Sequence, residues 1–465
     1  MPLRVLHKHA WLLLPLPIVT FVFIFLYSSL DEVVLVNNTG QIIQKTASLG
    51  RSFADLTGEK SVQRPTVPNS DSDDRFQAFR KSTAVGKNIA RFAEEGPLLI
   101  FPRPFFIYKK VDNSTHNKRL HVTQKQAKKN FTIHVWRHGE RMKRRFLRSY
   151  GSSYKDPYAT CSVNNCQLST NDSLVYDSDA VLFHLHQTKG PKSLPPYHPK
   201  NQLWIFFTDE SPHHTFLTTR RYTMKDYNGI FNWSMTYRSD SDIPVPYGRT
   251  VPLTKEEKAR MKVKDYSALK QRGIAILGSN CGGQNYRWDY VKELQKYITV
   301  DVYGGCGTHS CPGHFTKDCP LIGDYKFYLA FENSNCKEYI TEKLWWNAYG
   351  KETVPVVMGA PKSDYEKLCP PDSFIHADDF QSPSELAKYL DFLMNNDTAY
   401  NSFFDWKKQY KVVNEHGYFG SPSLHLCRIC EALNNYNYKP KTYSDLKSFW
   451  NVKTDCKKPS WTPED

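Results

Sequence analysis

Two basic residues in this chain stand where a helix disfavours them. Arg287 falls in the first turn after the glycine-bearing loop Ser279-Asn-Cys-Gly-Gly283, and Lys343 in the first turn after Phe331-Glu-Asn-Ser-Asn335. Helix N-termini present free N–H groups and the positive end of the dipole, so a bound anion such as a diphosphate would give both cations a reason to be there. From the spacing alone, two solvent-facing cations fit at least as well. Transfer of a group from a diphosphate also needs a base for the acceptor's proton. Glu210 is one candidate, in Thr208-Asp-Glu-Ser-Pro-His-His214. His213 or His214 could serve instead, or pair on zinc, or the whole polar loop could simply be solvated. Asp240-Ser-Asp242 has the D-x-D spacing of a metal site, but it lies in a turn-like stretch and the spacing arises often by chance. An Arg–Lys pair neutralises a leaving diphosphate without a metal.

The elements that must position these groups alternate between apolar runs and helical periods. Pro97–Phe101, Thr132–Trp136, Ala180–Phe183 and Leu203–Phe207 read as buried parallel strands. Glu210 follows the last of these, and a carboxylate at the C-terminal end of such a strand faces the cleft of the sheet. Residues 249–272 are charged and poor in strand formers, and read as a connection between domains. Gly273–Gly278 is a strand, Tyr286–Ile298 an amphipathic helix through Val291, Leu294 and Ile298, and Thr299–Tyr303 the next strand. A second unit follows as strand Lys326–Phe331, helix Thr341–Tyr349 and strand Thr353–Met358. Ser382-Pro-Ser-Glu385 reads as a capping box opening a helix to about Met394. The fold class is therefore α/β, with two Rossmann-like domains facing a cleft.

Composition narrows the setting. The net charge is +15, but the basic residues are scattered and carry no nucleic-acid motif, which argues against a nucleic-acid partner. Trp11–Leu30 holds no charged residue, with Arg4 and Lys8 before it and Asp31 and Glu32 after. That pattern predicts a cytosolic tail at 1–9, a transmembrane signal anchor at 10–30 and a lumenal remainder. A cleaved signal peptide is the rival, although Ser28-Ser29 makes a poor cleavage site. Six Asn-x-Ser/Thr sequons, at Asn37, Asn113, Asn130, Asn171, Asn232 and Asn396, fit a lumenal chain. So do eleven cysteines, all after residue 160, whose odd number leaves at least one unpaired within the chain. Cys427 and Cys430 could close one small loop, or Cys456 could take part. The expected layout is a flexible stem at 31–95, an N-terminal domain at 96–255, a C-terminal domain at 256–425 and a cysteine-containing segment at 426–465.

Longer stretches resemble one family. Phe231-Asn-Trp-Ser-Met-Thr-Tyr-Arg-Ser-Asp-Ser-Asp-Ile-Pro-Val-Pro-Tyr-Gly248, Tyr325-Lys-Phe-Tyr-Leu-Ala-Phe-Glu-Asn-Ser334 and Tyr339-Ile-Thr-Glu-Lys-Leu-Trp345 are similar to the α1,3-fucosyltransferases. So are Val354-Pro-Val-Val-Met-Gly359 and Ser373-Phe-Ile-His-Ala-Asp-Asp-Phe380. The resemblance implies a GT-B fold, a Golgi membrane enzyme, GDP-fucose as donor, a glycoprotein glycan as acceptor, inversion at the fucose carbon and no essential bound metal. It places the general base on Glu210 and the donor site on Asn280, Arg287, Tyr328, Asn333, Glu342 and Lys343, with Arg238 near the cleft. Within the family, Ser279-Asn-Cys-Gly282, Tyr303-Gly-Gly-Cys-Gly307 and Cys427-Arg-Ile-Cys430 resemble members that modify the innermost GlcNAc of N-glycans. Lys343-Leu-Trp-Trp346 departs from them, since they often carry Phe-Phe after the lysine. An outer-arm acceptor, another donor sugar and a non-catalytic glycan binder are the competing readings.

Overall fold

The computed structural model describes residues 23–24, 32–36, 42–47, 129–137, 142, 156–159, 161–216, 219, 221–311, 318–417, 423–435 and 441–463. The chain divides into two units, Met1–Asp73 and Asp74–Asp465. In the first, strands β1 (Phe23–Ile24), β2 (Glu32–Val36) and β3 (Ile42–Ala47) pair antiparallel in that order. The expected stem thus begins with a strand pair, as the β-branched run in Glu32–Val36 favours. The expected anchor at 10–30 lies outside the described residues, apart from Phe23–Ile24. Among the described residues no helix is long and apolar enough to cross a membrane. The expected strand Pro97–Phe101 also lies outside them.

The second unit holds two parallel sheets. Strands β4 (Phe131–Val135), β5 (Cys166–Ser169), β6 (Ala180–His184), β7 (Leu203–Thr208), β8 (Trp233–Thr236) and β9 (Ile243–Pro244) form the first, in the order β5-β4-β6-β7-β8-β9. Strand β10 (Gly248–Pro252) leaves it to pair with a later strand. Strands β11 (Arg272–Leu277), β12 (Val300–Tyr303), β13 (Tyr325–Phe331), β14 (Val354–Met358) and β15 (Ile375–His376) form the second, ordered β12-β11-β13-β14-β15. Strands β6, β7 and β14 are buried at every position, which explains why they read as unbroken apolar runs rather than as alternation.

One buried cluster joins the sheets, carrying Phe183, Trp204 and Phe206 from the first and Tyr325, Tyr328 and Ala330 from the second. The opposite face of the first sheet packs Ile133, Leu182 and Ile205 with Leu426, Ile429 and Leu433 of the helix His425–Asn435. The second sheet's other face is covered by the helices Arg287–Leu294 and Pro383–Met394.

Several expectations differ from the structure. Residues 249–272 are more than a connection, because β10 pairs antiparallel with β16 (Tyr410–Asn414). The segment after 425 belongs with the first sheet, fastened to it by Cys161–Cys427 and Cys166–Cys430, which sequence spacing alone does not reveal. The remaining bridges are Cys281–Cys306, Cys311–Cys319 and Cys336–Cys456, and Cys369 is free and buried. The helix expected over 341–349 is one π-helical stretch, Lys343–Ala348, followed by a 3-10 turn at Tyr349–Lys351. The helix expected from Tyr286 starts at Arg287 and stops at Leu294, with Tyr286 itself left-handed at φ 55°. The capping box is half realised. The Ser382 hydroxyl accepts the Glu385 amide at 3.3 Å, but the Glu385 carboxylate takes the amide of Gln381 rather than that of Ser382.

Gly248, where β10 begins, lies against Trp345 of the π-helical stretch. A Cβ there would meet the indole Cγ and Cδ2 at 2.4 Å. Gly248→Ala is therefore expected to cost about 1–3 kcal/mol by overpacking, read as a lowered melting temperature.

Candidate active site

The C-terminal ends of β7 and β13 bring the site together. After β7 the chain turns at Asp209-Glu210-Ser211, and after β13 at Glu332-Asn333-Ser334. The Ser334 hydroxyl donates to Ser211 Oγ at 2.8 Å, and the Tyr339 hydroxyl donates to Glu210 Oε2 at 3.3 Å. Two groups read from separate halves of the sequence are thus joined by short polar contacts.

Glu210 carries the most strongly shifted carboxyl of this junction. Burial pushes its carboxyl up to about 7, and the neighbouring Asp209 charge adds to this. Lys343 acts in the opposite sense. A carboxyl titrating there is matched to proton transfer near neutral pH. Its two histidine rivals are not. Burial lowers His213, and burial together with His213 and Arg287 pushes His214 down to about 4, so His214 is neutral and weakly basic. His214 Nδ1 also lies 3.1 Å from Ser211 Oγ. Asp209 turns away from the junction, facing His184 Nε2 at 3.4 Å and His416 Nε2 at 3.1 Å. Its carbonyl accepts from the Tyr247 hydroxyl at 2.7 Å, and the Tyr247 ring stacks on His416 at 3.9 Å between centroids.

Lys343 is built around a buried partner that the sequence reading did not single out. Its ammonium donates to Glu332 Oε2 at 2.9 Å and to Thr341 Oγ1 at 2.8 Å, with Glu342 Oε1 at 3.5 Å. Burial alone would lower this ammonium, but the Glu332 and Glu342 charges outweigh it and hold it above its ordinary value. Glu332 is fully buried and also accepts from the Thr341 amide at 2.7 Å. Burial raises its carboxyl while Lys343 opposes the rise. A signal was present: Glu332 is a carboxylate directly after the apolar run Phe327–Phe331, with Thr-Glu-Lys nine residues on.

Arg287 is buried, and its guanidinium donates to three backbone carbonyls. These are Asn280 at 2.6 Å, Gly282 at 3.2 Å and Phe331 at 3.1 Å. Guanidinium carries five N–H groups, so these bonds fix the side chain and leave capacity for a ligand. Asn280 is exposed and its side chain accepts from the Gly282 amide. Asn333 is half-buried, and its carbonyl takes the Gln284 amide at 2.7 Å. Tyr328 lies behind the site, fully buried, its hydroxyl accepting from Asn347 Nδ2 at 3.1 Å. Arg238, expected near the cleft, is turned elsewhere. It donates to Asp240, Asp455 and the Phe449 carbonyl and covers the Phe449 ring, which fastens the end of the chain. Asp240 and Asp242 both face protein cations, Arg238 with Lys337 and Lys441 respectively. His213 approaches Cys336 and Cys456, but these cysteines are bonded to each other.

The arrangement can hold an anion beside Arg287 and Lys343 and accept a proton at Glu210. Comparison with known proteins gives this chemistry a family. The model for glycosyltransferase family 10 (fucosyltransferase), C-terminal part, matches residues 267–450, and the fucosyltransferase N-terminal model matches residues 128–248. Glycoprotein 3-alpha-L-fucosyltransferase A of Drosophila melanogaster is 39% identical over 307 residues, a match spanning 65% of this chain and 58% of the fly protein. Alpha-(1,3)-fucosyltransferase 7 of Homo sapiens is 35% identical over 302 residues, 63% of this chain and 81% of the human one. A solved α1,3-fucosyltransferase with GDP-fucose aligns over 69% of this chain and 96% of its own at 17% identity, with a TM-score of 0.43. The chain belongs to glycosyltransferase family 10, the fucosyltransferases.

A base must be deprotonated to act, so kcat/KM should rise about tenfold per pH unit up to about pH 7 and level off above it. Glu210→Gln should abolish that limb and lower kcat about a hundredfold or more. Lys343→Ala leaves Glu332 buried without its partner, at a cost of about 3–5 kcal/mol in unfolding free energy measured with urea.

Proposed function

We propose that this protein is an inverting α1,3-fucosyltransferase that moves fucose from GDP-fucose to the innermost GlcNAc of glycoprotein N-glycans. The observation that carries the reading is the junction of Glu210, Tyr339 and Lys343, which sets a near-neutral base beside a buried cation. Glu210 takes the proton of the acceptor hydroxyl as its oxygen bonds to the fucose anomeric carbon. The bond from that carbon to the donor phosphate oxygen breaks on the opposite face, which inverts the centre. The charge left on GDP is met by Arg287 and Lys343. Glu342 accepts from donor hydroxyls, while Asn280 and Asn333 line the loops that hold the nucleotide and Tyr328 supports them from behind. No metal is required in this scheme, because the two cations supply the compensating charge.

The family's GT-B arrangement suits two parallel sheets with a site at their C-terminal ends. A lumenal Golgi location fits five disulfides, which persist in oxidising compartments. Residues 10–30 serve as the single-pass anchor in this reading, on the strength of their uncharged sequence. The acceptor choice draws on the name of the fly relative, a glycoprotein 3-alpha-L-fucosyltransferase, and on the cysteine-bearing motifs shared with core-type members.

The test is incubation of the fragment from about residue 31 with GDP-fucose and two acceptors, without added metal. One acceptor is an N-glycan with an accessible core, and the other carries only terminal N-acetyllactosamine. Mass spectrometry should find one deoxyhexose on the innermost GlcNAc. Transfer only to the outer arm would remove the core assignment. No transfer to either, with or without metal, would remove the reading itself.

A further inference from the structure

The loop that holds Arg287 is exposed throughout. Ser279, Asn280, Cys281, Gly282, Gly283 and Gln284 all face solvent, and two of them are glycines. No apolar side chain anchors this segment, so burial cannot account for its shape. Yet its carbonyls at Asn280 and Gly282 accept from the Arg287 guanidinium, and the Asn280 carbonyl also accepts from Trp288 Nε1 at 2.9 Å. The exposed backbone therefore fixes a buried cation; the loop's far end is held by the Gln284 amide on the Asn333 carbonyl and by buried Asn285 on the Glu332 carbonyl, which leaves its middle to be fixed.

The Cys281–Cys306 bridge ties the middle of this loop to the loop after β12. There the Cys306 amide donates to the Gly278 carbonyl at 3.1 Å, just ahead of the same loop. This bridge also differs from the other four in exposure. Each of those has at least one buried cysteine, namely Cys427, Cys166 with Cys430, Cys319 and Cys336. Cys281 is exposed and Cys306 half-buried.

We infer that the Cys281–Cys306 disulfide is a positioning element of the donor site: it holds the carbonyls of Asn280 and Gly282 where they fix the Arg287 guanidinium for the donor diphosphate. The inference rests on the reading of GDP-fucose as donor. Opening the bridge frees a glycine-containing loop and lets Arg287 swing, while Glu210 and the Glu332–Lys343 pair stay in place on other elements. The loss falls on donor binding rather than on the acceptor or on proton transfer.

The experiment compares the wild-type protein with C281S/C306S, using GDP as the probe in calorimetry and GDP-fucose with the core N-glycan acceptor in kinetics. The expected result is a rise of about tenfold or more in the GDP dissociation constant and the donor KM, with the acceptor KM and the pH profile of Glu210 unchanged. A merely structural bridge would lower the melting temperature and leave GDP affinity alone, and that result would overturn the inference. A second arm guards against misfolding of the variant. Folded wild type is treated with limiting dithiothreitol, the freed thiols are alkylated, and peptide mapping identifies the bridge opened. Selective opening of Cys281–Cys306 should weaken GDP binding in proportion to the fraction opened. Opening without weakening would overturn the inference, and so would finding another bridge opened first. Failure of untreated wild type to bind GDP would instead overturn the donor reading and this inference with it.

Discussion

Everything at this site depends on keeping one carboxylate charged where water cannot reach it. Glu332 sits at the end of β13 with no exposed surface, and its charge is met by the Lys343 ammonium and by the amide and hydroxyl of Thr341. Removing both charges from water costs several kcal/mol each, so the pair is held by its geometry rather than being a net source of stability. That geometry sets where Lys343 ends. Its ammonium is fixed from below and keeps a positive field toward Glu210 and the ligand side. The π-helical stretch Lys343–Ala348 carries the lysine on the same element as Trp345, which packs against Gly248. Backbone irregularity, buried charge and close packing thus converge on one side chain.

The two halves contribute different chemistry for a physical reason. The junction after β7 is crowded by buried groups, and desolvation there keeps a carboxyl near neutrality. The junction after β13 and the loop after β11 are rich in backbone polar groups and cations, which suits them to stabilising negative charge instead. The histidines around Asp209 belong to neither role: two of them face its carboxylate, and His214 is held neutral by burial and nearby cations. In the proposed mechanism the proton acceptor and the anion clamp come from the two junctions, which are held in register by contacts such as Ser334 to Ser211.

Much of this was legible in the sequence, and what was hidden had causes. The parallel strands showed as apolar runs because both faces are buried, so β6, β7, β11 and β13 were found to within a residue or two. Arg287 and Lys343 stood out because cations are unfavourable at helix starts. Their protein partners did not: a carbonyl carries no residue-type signal, and the signal for Glu332, a carboxylate at a strand end nine residues before Thr-Glu-Lys, joins two segments that local pattern reads separately. Local pattern chose between Glu210 and its histidine neighbours only through family resemblance, whereas burial separates them on physical grounds. The pairing of β10 with β16 was missed because Gly248–Pro252 has two residues that usually weaken strands. Arg238 was assigned by resemblance to the cleft; besides the adjacent Asp240, its partners Phe449 and Asp455 lie more than two hundred residues later.

The return of the helix His425–Asn435 to the first sheet has a consequence for how the chain is made. Cys161–Cys427 and Cys166–Cys430 join residues 266 and 264 positions apart, whereas Cys311–Cys319 and Cys281–Cys306 span only 8 and 25. A ribosome delivers the chain from its N-terminus, so the short loops can be oxidised while synthesis continues. Cys161 and Cys166 are made early, and the whole second sheet, Arg272 to His376, is translated before their partners exist. During that interval they are exposed to the cysteines at 281, 306, 311 and 319, which arrive first. The two bridges that close the first sheet can therefore form only once the chain has been made through Cys427 and Cys430, after the cysteines of both short loops.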